Sequence, residues 1–307
     1  MTTGLKGPPD VGVPVDYRAA LPSGPRRLGT RRAVLLLITV TGVWAAFHLQ
    51  LDPRGLIPDG GGLRLAGRFF GAALTPALTY EASFVPEGAP PFLQKVINAM
   101  AVTVSFAAAA SSLSLIFGVP LAFVSSQAWW ASGDEGAGAR RVIHAVGPVV
   151  YGVSRVVIGL SRSVHELLWA VLFLAAMGLT PLAAVVAIAI PYSGTLAKVF
   201  SEMIDEAPRD TARALRDAGA GPLSVFFFGL LPRALPDMLS YAFYRFECAL
   251  RSAAVLGFFG IPTLGLFIRE SFTNAQYHEV WTYLYAMFAL VLVADGWSGR
   301  IRRRLVA

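Results

Sequence analysis

Residues 205–236 read DEAPRDTARALRDAGAGPLSVFFFGLLPRALP, a polar helix, a glycine and a Leu-Pro pair inside an otherwise apolar chain. A segment this charged is too costly to place in hydrocarbon, so it is expected to be a cytoplasmic loop between two membrane spans. Ala214, Ala218 and Gly219 recur on it at helical spacing, a small-residue face suited to close docking against another protein.

Composition agrees with a membrane setting. Of 307 residues, 55% are hydrophobic and 15% charged, where a soluble domain has about 25% charged. The net charge of +7 comes from basic residues clustered beside apolar runs, not spread along one face. That distribution is a topology signal and argues against nucleic acid as a partner. The single Cys248 excludes a disulfide within the chain and a cysteine-based metal site, and no His-Glu-x-x-His metal pattern occurs. Roughly thirty polar, Pro/Gly-rich residues precede the first apolar run, unlike a cleavable signal peptide.

Outward from the polar loop, the chain divides as follows. Residues 1–32 form a Pro/Gly/Arg-rich cytoplasmic arm, residues 33–51 a first transmembrane helix, and residues 52–91 an external segment. In that segment LRLAGRFFGAAL is a candidate interfacial helix, with Arg64 and Arg68 on one edge. Residues 92–305 form the core, with the polar helix at 205–221. Its spans are expected from Phe92 to Ser126, Val142 to Leu160, Leu167 to Phe200 (interrupted at Gly178 and Pro181), Leu223 to Phe258 (broken at Pro232 and Pro236), and Val280 to Gly296. With about six spans, all α, both Arg-rich ends stay in the cytoplasm.

Ionisable groups fall inside these spans or at their ends. Arg155, Arg162 and Glu166 share one helical stripe if the helix continues through Ser161, and Glu247 and Arg251 form an i,i+4 pair with Arg245 on the opposite face. Such groups are costly unless paired or facing water. Two readings stay open: pairing that holds the bundle together, or a transport pathway lined by Arg162, Glu166, Arg245, Glu247 and Arg251, in which a guanidinium meets an oxyanion in transit.

The stretch ARALRDAGAGPLSVFFFGLLPRALP resembles the cytoplasmic coupling loop of ABC importer permeases, whose pattern is Glu-Ala-Ala, three residues, Gly, nine residues, Ile-x-Leu-Pro. Gly219 and Leu231-Pro232 fit at the right distance and Ala214 takes the first Ala position, while Arg213 stands in place of the Glu and Gly229 in place of the Ile. SRSVHELLWAVLFLAAMGLTPLAAVVAIAI, YRFECALRSAAVLGFFG and ADGWSGRIRRRL resemble, in order, segments of the phosphonate-type permeases, with His165 where the relatives carry Pro. The resemblance implies a type I ABC importer permease in a bacterial inner membrane. It further implies a second permease copy or paralogue, a partner ABC subunit that binds ATP and Mg, and an external substrate-binding protein. The ATPase would dock on Glu206, Ala214, Leu215, Gly219, Leu231 and Pro232, and a glycine-rich gate would lie at Gly257, Gly260 and Gly265, where Pro262 and Thr263 replace small residues.

The chain has no Gly-x-x-x-x-Gly-Lys-Ser/Thr phosphate loop, so it is expected to be a non-catalytic subunit that couples ATP hydrolysis elsewhere to inward transport of phosphonates or a related phosphorus oxyanion. Phosphate, phosphite or an amino acid are the alternative cargoes. A secondary transporter would show two related halves, which the sequence lacks. An intramembrane enzyme would need a nucleophile with its base, or facing carboxylates, and neither is seen.

Overall fold

The computed structural model describes residues 29–51, 55, 59–83, 85–131 and 137–306. The expected arm lies almost wholly outside the described residues, as does the loop at 132–136. The chain falls into two compact units, Met1–Arg64 and Leu65–Ala307. The first contains α1 (Thr30–His48), whose Leu35, Leu36, Leu37 and Ile38 are all exposed, as suits a lipid-facing helix. The candidate interfacial segment is helical, α2 (Gly60–Ala72).

The second unit contains α3 (Phe92–Val124), α4 (Gln127–Ala131), α5 (Ala137–Ser163), α6 (Glu166–Met177), α7 (Pro181–Glu206), α8 (Asp210–Asp217) and the turn α9 (Pro222–Ser224). A π-helical segment, Val225–Leu230, leads into α10 (Leu231–Val255). A 3₁₀ turn (Leu256–Phe259), α11 (Leu264–Thr273) and α12 (Tyr277–Val306) complete it. Among the described residues four helices are long and apolar enough to cross a membrane, and six spans result if α5 with α6 and the α10 region with α11 each count as one bent span.

The expected count of about six lies at the upper end of that range, and three boundaries move. The chain does not run as one helix from Leu167 to Phe200. Gly178, at φ +78°, ends α6, and Thr180 starts α7 by accepting the Ala183 N–H on its hydroxyl, with Pro181 in the first turn where no N–H is needed. The Leu223–Phe258 stretch is not broken at its prolines. Pro232 lies in the first turn of α10, and Pro236 is carried inside the helix. The polar helix does not begin at Asp205. Asp205 and Glu206 close the last turn of α7, Pro208 interrupts, and α8 covers only Asp210–Asp217.

Helix α7 is the hub, packed against α3, α5, α6 and α10. Lipid tails give no hydrophobic drive between helices, so close approach through small residues holds them. Ala184, Ala187 and Ala197 are completely buried. A Cβ on Gly118 of α3 would lie 3.0 Å from the Ser193 carbonyl oxygen, and one on Gly194 would collide with Ser161 Oγ of α5.

Residues 69–81 strap onto α12. Trp281 Nε1 donates to Phe69 O at 2.6 Å, Thr282 Oγ1 to Ala77 O at 2.7 Å and Tyr285 OH to Ala73 O at 2.8 Å. The Glu279 carboxylate, 3% exposed, accepts from the Glu81 N–H at 2.7 Å and Ser271 Oγ at 3.0 Å. Beside this strap lies a cleft of about 420 Å³, lined by Tyr80, Lys95, Glu270 and Glu279 among others. Burial, and secondarily the Glu279 charge, raise the Tyr80 phenol above its ordinary pKa. The Tyr80 hydroxyl donates to Pro90 O at 2.9 Å.

Candidate functional site

Helix α8 presents two faces. Its inner face carries Ala212, 5% exposed, and half-buried Leu215, which packs against the buried cluster that contains Ile204 and Phe226. Gly229, the sequence departure, lies against that face: a Cβ there would sit 2.9 Å from Ala212 Cα, a backbone contact that an Ile could not make. Arg233 Nη2 donates to Thr211 Oγ1 at 3.1 Å, which ties α8 to α10 as well. The outer face carries Ala214, Ala218 and Gly219, all exposed, with Glu206 exposed at the end of α7. Leu231 is half-buried and Pro232 exposed. Gly219 has φ +82°, with its N–H on Arg216 O at 2.9 Å and the next N–H on Leu215 O at 3.0 Å, a left-handed helix stop. Among the described residues, the ion pair of Arg213 is a long, exposed contact to Asp210 at 3.8 Å.

Asp205 ties the neighbouring element in place. Its carboxylate accepts from Ser126 Oγ at 2.6 Å and from the N–H groups of Ala128 at 2.8 Å and Gln127 at 3.1 Å, at the start of α4.

The second cluster centres on the midpoint of α7. The expected stripe of Arg155, Arg162 and Glu166 is not continuous, because α5 stops at Ser163 and α6 leaves at an 87° bend. His165 starts α6, its Nδ1 accepting the Leu167 N–H at 3.3 Å. Glu166 thereby turns toward α10, where its Oε1 accepts from Ser252 Oγ at 3.0 Å, and Ser252 Oγ lies 2.9 Å from Tyr192 OH of α7. The Arg245 guanidinium carbon lies 3.8 Å from the centre of the Tyr192 ring. Arg162 meets the same stretch of α7, its Cγ 3.2 Å from where a Gly194 Cβ would stand. Tyr241 lies within electrostatic reach of both Arg162 and Arg245.

The expected Glu247–Arg251 pair does not form. Among the described residues no ion pair joins them: Glu247 is 7% exposed and its Oε1 has no partner, whereas Arg251 is exposed. The Nε atoms of Arg155 and Arg245 are likewise buried without a partner among the described residues. Tyr241 also lines a cleft of about 590 Å³ between the ends of α7, α10 and α12, with Tyr244, Arg233, Asp237 and Arg302 on its walls.

At the expected gate, the chain folds back tightly on itself. Gly260 has φ +98°. A Cβ on Gly257 would collide with Leu266 N, and one on Gly265 with Ala254 O. Thr263 serves the turn, donating through Oγ1 to Ala254 O at 3.1 Å, while the Leu264 N–H is taken by Thr103 Oγ1 of α3 at 3.1 Å.

Residues 142–307 match the family model described as the binding-protein-dependent transport system inner membrane component. A phosphite transport system permease protein of Stutzerimonas stutzeri is 32% identical over 204 residues, covering 66% of this chain and 68% of the relative. A phosphate-import permease protein of Mycolicibacterium smegmatis is 31% identical over 159 residues, covering 52% of this chain but only 30% of that protein. The solved MetNI methionine ABC transporter, in an inward-facing conformation, superposes with a TM-score of 0.58 at 18% identity, covering 71% of this chain and 99% of that one. At that identity the likeness carries the fold alone.

Proposed function

The chain belongs to the family of binding-protein-dependent transport system inner membrane components, and we propose that it forms the transmembrane pathway through which a phosphorus oxyanion is imported. The permease role is common to the family. The cargo reading rests on one observation: Arg245, near the middle of α10, is held by the Tyr192 ring and has no carboxylate partner among the described residues. Its N–H edge is left available for the oxygens of a tetrahedral anion. Relatives named for phosphite and phosphate transport support the same chemistry.

In this reading Arg162 and Arg245 flank the cargo, while Glu166, Glu247 and exposed Arg251 set the local charge so that the anion is passed on, not retained. Tyr241 leads from the arginines into the 590 Å³ cleft, which serves as the inward exit. The outer face of α8, with Glu206, Ala214 and Gly219, receives a separate ATPase that binds ATP and Mg. Leu215, Leu231 and Pro232 support that surface from behind. The turn at Gly257, Gly260 and Gly265 closes the outer end. A second permease copy or paralogue completes the pathway, and an external binding protein delivers the cargo. Both termini are cytoplasmic.

The test is uptake by vesicles containing the assembled transporter, offered labelled phosphite, methylphosphonate, phosphate and methionine with ATP inside or outside. ATP-dependent uptake of a phosphorus oxyanion, reduced about tenfold or more by Arg245→Gln with assembly intact, is expected. Methionine uptake with no oxyanion uptake would overturn the reading.

A further inference from the structure

We infer that Tyr192 and Ser252 are positioning residues that hold Arg245 ready for an oxyanion, with Glu166 anchoring them and not touching cargo. The inference rests on the oxyanion pathway proposed above.

The hydrogen-bond directions are fixed by proton supply. Ser252 Oγ has one proton and gives it to Glu166 Oε1. The contact between Ser252 Oγ and Tyr192 OH must then be donated by Tyr192. A chain of two donors thus runs from the Tyr192 phenol through Ser252 to a carboxylate on a different helix. It joins α7, α10 and α6, and its two hydroxyl members, Tyr192 and Ser252, are buried, at 4% and 9% exposure.

The chain fixes the Tyr192 ring, and the ring carries Arg245. A guanidinium stacked on an aromatic face keeps all its in-plane N–H groups, whereas one paired with a carboxylate spends two of them. Arg245 has no carboxylate within ion-pair distance among the described residues, and its buried Nε has no acceptor. Glu166 is near enough to act electrostatically on Tyr192, yet its Oε1 is engaged by Ser252. The hydroxyl chain therefore holds the carboxylate on the Ser252 side, where it forms no direct ion pair with the arginine that the cargo needs.

The experiment measures phosphite affinity of the assembled transporter without its binding protein, from the phosphite dependence of its melting temperature. In parallel, the uptake rate is measured at saturating loaded binding protein. Ser252→Ala and Tyr192→Phe, which break the chain but keep the ring, are each expected to weaken phosphite binding about threefold. Their combination should weaken it no further, because both cut one chain. Tyr192→Leu, which removes the platform, is expected to weaken binding about tenfold. Saturated uptake should stay within about twofold of normal for the two milder variants. Unchanged affinity in Ser252→Ala and Tyr192→Phe, alongside weakened affinity in Arg245→Gln, would overturn this inference alone. Unchanged affinity in Arg245→Gln itself would overturn the pathway proposal and this inference with it. Should Tyr192→Leu fail to assemble, the two milder variants decide the matter.

Discussion

Gly229 and Ala212 touch backbone to backbone: a single added carbon on Gly229 would lie 2.9 Å from Ala212 Cα. The contact seats the coupling helix α8 on the π-helical segment before α10. Gly229→Val is expected to cost about 1–3 kcal/mol through overpacking and to loosen α8. Melting curves of the purified subunit should show the loss, and protease cleavage near Arg213 should accelerate. Unaltered melting would mean that α8 can shift outward freely.

At Gly219 the difficulty is conformational, since no atom lies within 4 Å of the Cβ position but φ is +82°. Gly219→Val is expected to leave the subunit inserted while ATP hydrolysis no longer drives uptake, because a β-branched residue resists the left-handed stop. Normal uptake with normal ATPase binding would remove Gly219 from the docking surface.

Asp205 satisfies two backbone N–H groups and one hydroxyl at the start of α4. Asp205→Ala is expected to destabilise the protein by about 1–3 kcal/mol. Ser126→Ala should cost less, because the two backbone donors keep their acceptor. Equal losses in the two variants would contradict this division.

Glu247 has a buried oxygen without a partner and no ion pair with Arg251 among the described residues. Glu247→Gln is therefore expected to be neutral or to stabilise by about 1 kcal/mol, since it removes an unpaired buried charge. Combined with Arg251→Gln, the effects should add within about 0.5 kcal/mol. A coupling well above that would restore the pair expected from their spacing.

Reporter fusions test the orientation. A reporter active only in the cytoplasm should work after Arg32 and after Arg304 and be silent near Glu87. Activity near Glu87 would mean that α1 does not cross the membrane.

Much of this architecture is legible in the sequence because it depends on local signals. Apolar run length gives the spans, and Gly178, Thr180 and Pro181 together are a helix stop, cap and start. The sequence shows the interruption at Gly178 and Pro181 but not that one helix ends and another begins there, because the apolar residues on both sides conceal an end. The stop at Ser163 agrees with the span end expected near Leu160, but the 87° bend that follows it has no sequence signature, since His165 is an uncommon cap. Its consequence, Glu166 turning to Ser252, joins residues 86 apart in sequence. Tyr192, Ser252 and Asp205 escaped notice for the same reason: their roles come from helix packing, and none belongs to a periodic or spaced pattern. The Glu247–Arg251 expectation failed because i,i+4 spacing makes a pair possible without deciding where each side chain finds its environment.

The strap on α12 means that a stretch of chain near residue 75 is held by side chains some two hundred positions later: His278 Nδ1 meets Thr75 O at 2.7 Å, and three further bonds to backbone carbonyls reach it from Trp281, Thr282 and Tyr285. The exposed turn at Gly88, with φ +89°, lies just beyond those ties. A peptide bond severed there would not free the severed end, which would remain fastened to α12. The gene could then be divided at that codon and expressed as two polypeptides that find each other in the bilayer, the final helix serving as the template on which the first fragment closes.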